Sequence, residues 1–307
     1  MVPTRDDILT ARNLIRPHIR RTPCMDLRLP DGQVAALKLE LLQHTGSFKP
    51  RGAFTTVLSQ KQQPQTLVAA SGGNHGLAVA YVGLRLGIPA SIFVPETAPA
   101  PKVARLRSYG AQVHQVGSTF AEALDASQDE ADRPGALSVH AYDAPGTVTG
   151  QGTIGVEISE QTSPDTVLVA VGGGGLIGGV ASWFKEGTRI VGVEPRTCNA
   201  LHAAQAAAGP VKVNPSGVAA DSLGSSILGS IAWEALQAAG AMSVLVDDED
   251  ILAARELLWR ETRLVAEPGG ATALAALLSG AYRPARNERV TVIVCGSNSD
   301  PRDLPLD

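Results

Sequence analysis

The sequence predicts an α/β fold in which mostly parallel strands alternate with helices. Eight short β-like runs are separated by longer stretches with helical spacing, and this alternation is typical of parallel sheets. Two of the runs lead through glycine turns into helical patterns. The chain has 307 residues, of which 44% are hydrophobic and 18% charged, so it can form a sizeable core within one large domain or two domains.

The predicted elements follow one another along the whole chain. Strands are expected at 34–40, 66–70, 90–94, 112–116, 166–171, 189–194, 243–246 and 289–294. A helix over 101–109 is expected to stop at Gly110, because glycine commonly ends helices. We interpret the acidic run 247–250 as a helix start that complements the helix dipole, not as a metal site. A small domain at 66–142 is expected within a large domain formed by 1–65 and 143–307.

A single lysine stands among small and turn-forming residues near position 50. The segment Gly46-Ser47-Phe48-Lys49-Pro50-Arg51-Gly52-Ala53 precedes an apolar helical run. Burial and the field at a helix N-terminus both disfavour the charged form of an amine. A lysine with a lowered pKa suits Schiff-base chemistry with an aldehyde cofactor. Taken alone, the segment fits a solvated lysine at a helix start better than it fits a Schiff-base lysine.

Two glycine-containing loops each join a predicted strand to a predicted helix. The first, Ser71-Gly72-Gly73-Asn74-His75-Gly76, would present backbone N–H groups to an anion such as a substrate carboxylate. A plain capped turn explains it equally well. The second, Gly172 to Gly175 followed by Leu176, would let the backbone wrap a phosphate. A dinucleotide site is less favoured there, because Ile177 stands where the dinucleotide motif has a third Gly or Ala. It stays open, because Glu194 ends the next predicted strand, where such sites have an acid that binds the ribose.

Cys295 directly follows the last predicted strand, just before a glycine turn. It is either a small core residue, the usual fate of a free cysteine, or a thiol that faces the nitrogen of a bound ring.

Together, in this order, the motifs resemble the fold type II family of pyridoxal 5′-phosphate enzymes, in particular its serine/threonine dehydratase and serine racemase group. The resemblance extends from about Arg5 to about Asp300 and includes the lysine motif, the asparagine loop, Gln151-Gly152-Thr153, the tetraglycine loop, Glu267-Pro268-Gly269-Gly270-Ala271 and Cys295-Gly296-Ser297-Asn298. It implies a tryptophan synthase β-like fold with two open, twisted, mostly parallel sheets and flanking helices. It also suggests a homodimer.

The resemblance also assigns roles to individual residues. Lys49 would hold pyridoxal 5′-phosphate covalently and act as the catalytic base, and Phe48 would pack against the cofactor ring. The remaining cofactor contacts would come from Asn74 at the ring hydroxyl, from Gly172, Gly173, Gly174, Gly175 and Leu176 at the phosphate, and from Cys295 at the pyridine nitrogen. Ser71, Gly72, Asn74 and His75 would hold the substrate carboxylate, mainly through backbone groups.

Two positions depart from the racemase pattern. Racemases of this family carry a serine where Gly72 stands, and glycine has no proton to give to the second face of the substrate. The family's divalent-cation site uses a glutamate that matches Glu194 and a second carboxylate where this chain has Ala200. One carboxylate is a thin site for a hard cation, so Glu194 is only a weak metal candidate and is more readily explained as a structural acid.

The expected activity is the dehydration and deamination of L-threonine or L-serine to a 2-oxo acid and ammonia. The alternatives are a serine racemase, a 3-hydroxyaspartate dehydratase, a cysteine or threonine synthase of the same fold, or, from a different class, a catalytically silent cofactor- or amino-acid-binding regulator. Intact Lys49, Asn74 and Gly172 to Gly175 disfavour the silent regulator. The sequence leaves the preferred substrate, the oligomeric state, a divalent cation and an allosteric effector open.

The composition limits the classes of partner that the protein is expected to bind. A net charge of −4 and a pI near 5.9 give no pull toward nucleic acid or anionic membranes, and 4% aromatic residues disfavour a base-stacking surface. Three widely spaced cysteines fit a reducing compartment. The N-terminus lacks the apolar core of a signal peptide. These observations lead us to expect a cytoplasmic protein without nucleic-acid or membrane partners. The resemblance implies an enzyme of small amino acids, and because the chain ends at Asp307 we expect no C-terminal regulatory domain.

Overall fold

The computed structural model describes residues 1–184 and 187–304, and within these residues it has ten strands and twelve α-helices. The strands are β1 Cys24–Arg28, β2 Val34–Lys38, β3 Thr66–Ala70, β4 Ala90–Val94, β5 Gln112–Gln115, β6 Ala136–Ser138, β7 Thr166–Ala170, β8 Arg189–Pro195, β9 Met242–Val246 and β10 Val290–Ile293. The helices are α1 Arg5–Ile15, α2 Lys49–Leu58, α3 Asn74–Leu86, α4 Ala100–Ser108, α5 Phe120–Ala131, α6 Pro145–Gln161, α7 Gly175–Trp183, α8 Ala200–Ala206, α9 Ala220–Leu223, α10 Ser230–Ala238, α11 Asp248–Thr262 and α12 Pro268–Leu278.

The strands form two sheets. The larger has the order β1-β2-β10-β7-β8-β9, and the smaller has the order β5-β4-β3-β6. All pairings are parallel except that of β1 with β2. The two-sheet, mostly parallel α/β architecture is therefore confirmed. The strands of the small sheet all lie between residues 66 and 138, inside the predicted small domain, whose boundaries stay a prediction.

Each of the eight predicted strands is present; two have the predicted ends, and the ends of the other six differ from prediction by at most two residues. The strands β1 and β6 were not predicted. Both contain no β-branched residue, and both lie at a sheet edge, where partial exposure removes the continuous apolar run of a buried strand. The acidic run does start a helix: Asp247 is the N-cap of α11, and it forms a capping box with Asp250.

The carboxyl ends of the parallel strands position the candidate site. The asparagine loop follows β3, the tetraglycine loop follows β7, and Cys295 follows β10. The helix α2 packs against both α3 and α6. At Gly52 a Cβ would lie 2.8 Å from Thr147 O, so glycine permits the close approach of α2 to α6. This approach places Lys49, the first residue of α2, beside the loops. No helix among the described residues is long and apolar enough to cross a membrane.

Candidate active site

One pocket brings together most of the residues that the sequence singled out. It is lined by Phe48, Lys49, Asn74, Tyr142, Ala170, Gly172, Gly173, Gly174, Gly175, Leu176, Ser222, Leu223, Glu267 and Cys295. A smaller depression beside it is lined by Gly72, Gly73, Asn74, Leu77, Lys102, Arg105, Asp221 and Asn298. The groups predicted for cofactor contacts therefore share one pocket, and Gly72 opens onto its neighbour.

Lys49 occupies the first turn of α2 and points into this pocket. Its Nζ donates to Ala141 O at 2.9 Å and lies 5.2 Å from the centre of the Phe48 ring. Burial lowers the pKa of Lys49 from 10.5 to about 8, against the opposing effect of Cys295 and Glu267. A substantial fraction of the amine is consequently neutral near pH 8, and a neutral amine is both a nucleophile and a base.

Cys295 is a buried thiol at the end of β10. Its Sγ donates to Gly269 O at 3.4 Å, and burial raises the pKa of Cys295 far above its usual value. The thiol is therefore neutral at any physiological pH. It brings no negative charge to the pocket that Lys49 and the glycine loop share.

The tetraglycine loop offers unused hydrogen-bond donors at the start of α7. Among the described residues, the N–H groups of Gly172, Gly173 and Gly174 donate to no protein acceptor. Gly174 has a φ of +90°, a backbone conformation that glycine adopts without a steric penalty. Free N–H groups at a helix N-terminus are suited to an anion. The loop therefore has the chemistry of a phosphate cradle.

The asparagine loop is tied to the opposite side of the pocket through Glu267. Asn74 Nδ2 donates to Glu267 Oε1 at 2.6 Å, and Asn298 N donates to Glu267 Oε2 at 3.1 Å. Asn298 Nδ2 also donates to Asn74 Oδ1. Burial raises the pKa of Glu267 to about 7, although the hydrogen bonds from Asn74 Nδ2 and Asn298 N oppose this increase. The carboxyl group therefore holds the amide of Asn74 in one orientation at the edge of the pocket.

The side chain of His75 turns away from the pocket. Its Nε2 donates to Val139 O at 2.7 Å, and burial, followed by the charge of Lys49, lowers the pKa of His75 to about 3. Ser71 Oγ accepts from Gly73 N at 3.3 Å, within the loop itself. Any contact of His75 with a substrate would thus use its backbone, as the resemblance implied.

The segment from His140 to Asp143 was not identified from the sequence. The ring of Tyr142 lies over Gly173, and the Tyr142 backbone lies against Gly175. Asp143 accepts from Ser230 N and Ile231 N, both at 3.0 Å, at the start of α10. No motif marks this segment, because its role depends on packing against a distant loop. Glu267 and Asn298 belong to segments already noted in the sequence, but their contacts with Asn74 required the fold.

Glu194 lies outside the pocket, at the end of β8. Its Oε1 accepts from Leu201 N at 2.7 Å, and its Oε2 accepts from His202 N at 2.8 Å and from Ser243 Oγ at 3.2 Å. Both oxygens therefore bind the start of α8, whose first residue is Ala200. We propose that Glu194 is a structural acid that caps this helix.

Replacing Glu194 by glutamine should change how stability depends on pH. Burial raises the pKa of Glu194 from 4.5 to about 7, so the folded protein binds more protons than the unfolded chain between these values. The free energy of unfolding of the wild type then contains a contribution that decreases as pH rises through this window, by about 3 kcal/mol. Glu194→Gln lacks that contribution, so its stability relative to wild type should increase between pH 4.5 and pH 7.

Urea unfolding of both proteins at several pH values measures this difference. Glu249→Gln, at an exposed position in the first turn of α11, is the matched control and should show little pH-dependent difference. Parallel stability profiles for wild type and Glu194→Gln would contradict the expectation.

Comparisons with known proteins agree with this geometry. The family model described as "Pyridoxal-phosphate dependent enzyme" matches residues 15–296. A phenylserine dehydratase of Ralstonia pickettii is 35% identical over 310 residues, which cover 97% of this chain and 94% of that protein. An L-threonine ammonia-lyase of Thermotoga maritima is 34% identical over 307 residues, which cover 97% of this chain and 76% of that protein.

Solved structures show the same fold over nearly the whole chain. A threonine deaminase from T.th. superposes with a TM-score of 0.89 at 35% identity, covering 97% of this chain and 99% of that one. A maize serine racemase superposes with a TM-score of 0.92 at 30% identity, covering 98% of this chain and 96% of that one. With a family model that matches most of its length and relatives above 30% identity, the chain belongs to the family of pyridoxal-phosphate-dependent enzymes.

Proposed function

We propose that this enzyme is a lyase that removes water and ammonia from a hydroxy amino acid and leaves a 2-oxo acid. The observation that carries the proposal is a lysine of lowered pKa in one pocket with a donor-rich glycine loop and a neutral thiol. The curated relatives are named as dehydratases and ammonia-lyases, which supports elimination as the reaction.

The residues of the pocket fit pyridoxal 5′-phosphate. The N–H groups of Gly172, Gly173 and Gly174 lack protein acceptors among the described residues and would hold the phosphate. Lys49 would hold the aldehyde carbon, Phe48 would contact the ring, and Asn74 and Cys295 would contact its polar edge. When bound, the cofactor supplies an electron sink that stabilises negative charge at the carbon bearing the substrate amine.

The reaction needs a base and a site for the substrate carboxylate. Lys49 supplies the base, because at a pKa of about 8 its neutral amine can accept the α proton near physiological pH. The asparagine loop begins α3, and its N-cap Gly73 leaves the first N–H groups without a side-chain cap. Those groups can bind the carboxylate and so orient the Cα–H bond toward Lys49.

Cys295 influences which reaction follows. Since burial keeps its thiol neutral, it stabilises a positive charge on a neighbouring ring nitrogen far less than a carboxylate would. When the cofactor is bound, Cys295 would therefore favour loss of the β-hydroxyl over transamination.

A substrate panel tests the proposed function. L-serine, L-threonine, 3-hydroxyaspartate and 3-phenylserine all carry the required amine and β-hydroxyl, and the last is the substrate named for one relative. We expect release of 2-oxo acid and an equal amount of ammonia from at least one of them. Binding of the cofactor without turnover of any of the four would instead support the silent regulator.

Dehydration is favoured over racemisation by the residue at position 72. Delivery of a proton to the substrate face opposite Lys49 needs an acid, and Gly72 has none. Among the described residues, a Cβ at Gly72 would meet only Val94 Cγ1, at 3.5 Å, which is an ordinary van der Waals contact. The loop can therefore accept the Cβ of a serine without rearrangement.

Gly72→Ser should raise the formation of D-serine from L-serine. A positioned acid contributes about 10²-fold or more to a proton transfer, so we expect at least a tenfold increase, measured by chiral analysis of the serine that remains after partial turnover. Gly72→Ala adds the Cβ without the hydroxyl and is the matched control. Abundant D-serine from the wild type would show that another group serves this face.

We further propose a cytoplasmic homodimer that acts on small amino acids and has no nucleic-acid or membrane partner. The acidic pI and the sparse aromatic residues support the choice of partners, and family resemblance supports the dimer. Sedimentation of the purified protein tests its oligomeric state.

A further inference from the structure

A fully buried group of four charged side chains lies behind the lysine motif. This ion cluster consists of Lys38, Glu40, Arg51 and Glu157, whose exposed fractions are 0%, 0%, 0% and 5%. Arg51 lies 2.7 Å from Glu40 and 2.8 Å from Glu157, and Lys38 lies 2.6 Å from Glu157. Two cations and two carboxylates balance, so the cluster carries no net charge into the core.

Every N–H donor of the two cations has an acceptor. Arg51 directs Nε and Nη2 to the two oxygens of Glu40 at 2.8 and 2.7 Å, and Nη1 and Nη2 to those of Glu157 at 2.8 and 3.0 Å. Its remaining donor reaches Thr153 Oγ1 at 3.2 Å. Lys38 Nζ donates to Thr22 O, Glu157 Oε2 and Gln161 Oε1. Two bidentate forks thus hold a single guanidinium in two directions.

Stability alone is a weak explanation for such a cluster. The desolvation of buried charges offsets most of their attraction, and apolar side chains of similar volume often stabilise a core as well. What apolar side chains lack is direction, because a planar guanidinium fork fixes both distance and angle. The ion cluster is therefore better explained as a means of fixing the orientation of the segments that carry its side chains.

The ion cluster joins the elements that carry the active-site groups. Arg51 belongs to the first turn of α2, two residues after Lys49. Glu40 follows β2, and the next residue, Leu41, donates from its N to Val294 O at 2.8 Å, directly before Cys295. Glu157 belongs to α6, which packs along α7 behind the tetraglycine loop. The hydrogen bonds of the ion cluster thus connect the three segments that carry the lysine, the thiol and the glycine loop.

The helical geometry shows why Arg51 can control Lys49. Two residues along an α-helix correspond to about 200° of rotation, so the Lys49 and Arg51 side chains leave opposite sides of the first turn. The Nζ of a lysine lies roughly 7 Å from the helix axis, and a rotation of this turn by about 10° would displace it by roughly 1 Å. A displacement of that size can cost about 10²-fold in rate.

We infer that Arg51 is a positioning residue, which uses its two carboxylate forks to fix the rotation of the first turn of α2 and so the place of Lys49 Nζ. The inference rests on the proposed function for the role of Lys49 as base. The positioning of Lys49 by Arg51 does not depend on which reaction the enzyme catalyses with the bound cofactor.

Arg51→Lys tests the inference, because it keeps the charge balance of the cluster and removes the forks. The variant should fold and bind pyridoxal 5′-phosphate, while its kcat falls by about 10- to 100-fold and its KM changes little. The visible circular dichroism of the bound cofactor, which reports how rigidly the protein orients it, should weaken at equal cofactor loading. Arg289→Lys is the matched control, because Arg289 forms the same kind of fork with Asp165 at an exposed position before β10.

The outcomes separate positioning from stability. Wild-type kcat and circular dichroism in Arg51→Lys would overturn the inference, as would a loss of kcat that only matches the loss of cofactor-loaded protein. If Arg51→Lys does not fold, Thr153→Val tests whether Arg51 positions Lys49. That variant removes one acceptor of Arg51 at nearly constant volume, and it should show a smaller decrease of the same kind, whereas unchanged values would overturn the inference. If the wild type turns over no hydroxy amino acid, the proposed function fails, but the circular dichroism comparison still tests the positioning.

Discussion

Lys49→Ala should abolish the release of 2-oxo acid while the protein stays folded. The substitution removes both the group proposed to hold the cofactor and the proposed base, and a positioned base alone contributes about 10²- to 10⁴-fold. We therefore expect a decrease of at least about 10³-fold in turnover. Folding should persist, because burial already lowers the pKa of Lys49, which means that the charged amine is a cost to the folded state.

Turnover, circular dichroism and borohydride reduction of the cofactor-loaded protein measure the effect. Borohydride should fix the cofactor to the wild type and not to Lys49→Ala. Lys61→Ala, an exposed lysine after α2, is the control and should keep full activity. Turnover near the wild-type rate in Lys49→Ala, or fixation of the cofactor at another lysine, would disprove the assignment.

Gly172→Val should weaken cofactor binding more than it weakens folding. A Cβ at this position would lie 3.0 Å from Leu223 Cα and 3.2 Å from Leu223 O, so the branched side chain must push the loop and α9 apart where both line the pocket. Loss of one hydrogen bond to a charged phosphate corresponds to about 1.5–3 kcal/mol, or about 10- to 100-fold in affinity. Gly174 is a poorer choice, because its φ of +90° would strain the fold itself.

Cofactor titration gives the affinity, and urea unfolding of the cofactor-free protein gives the stability. Gly209→Val is the matched control, because a Cβ there would have no atom of the described residues within 4 Å. Unchanged cofactor affinity in Gly172→Val would argue against this loop as the phosphate site. A decrease in stability large enough to explain the loss of affinity would argue against a specific role for the loop.

The sequence by itself determined the order of the strands along the chain and the local chemistry of the loops. The strands β3, β4 and β7 are short runs of apolar or β-branched residues next to turn residues, so their position depends on neighbours within a few residues. The same holds for Asp247, since a capping box spans four consecutive residues. The edge strands β1 and β6 escaped prediction because edge pairing, not composition, makes them strands.

Only the tertiary structure decided which groups meet and in what state of ionisation. The lowered pKa of Lys49 depends on burial beneath loops more than ninety residues away, as its contact with Ala141 shows. The Glu267 clamp on Asn74 and the cover that Tyr142 forms over the glycine loop likewise join distant segments. For Glu194 the sequence left both a structural acid, which it favoured, and a weak cation ligand open, and the fold directs both of its oxygens to the start of α8. Desolvation and hydrogen bonding depend on neighbours in space, and those neighbours exist only once the two sheets and their helices have packed.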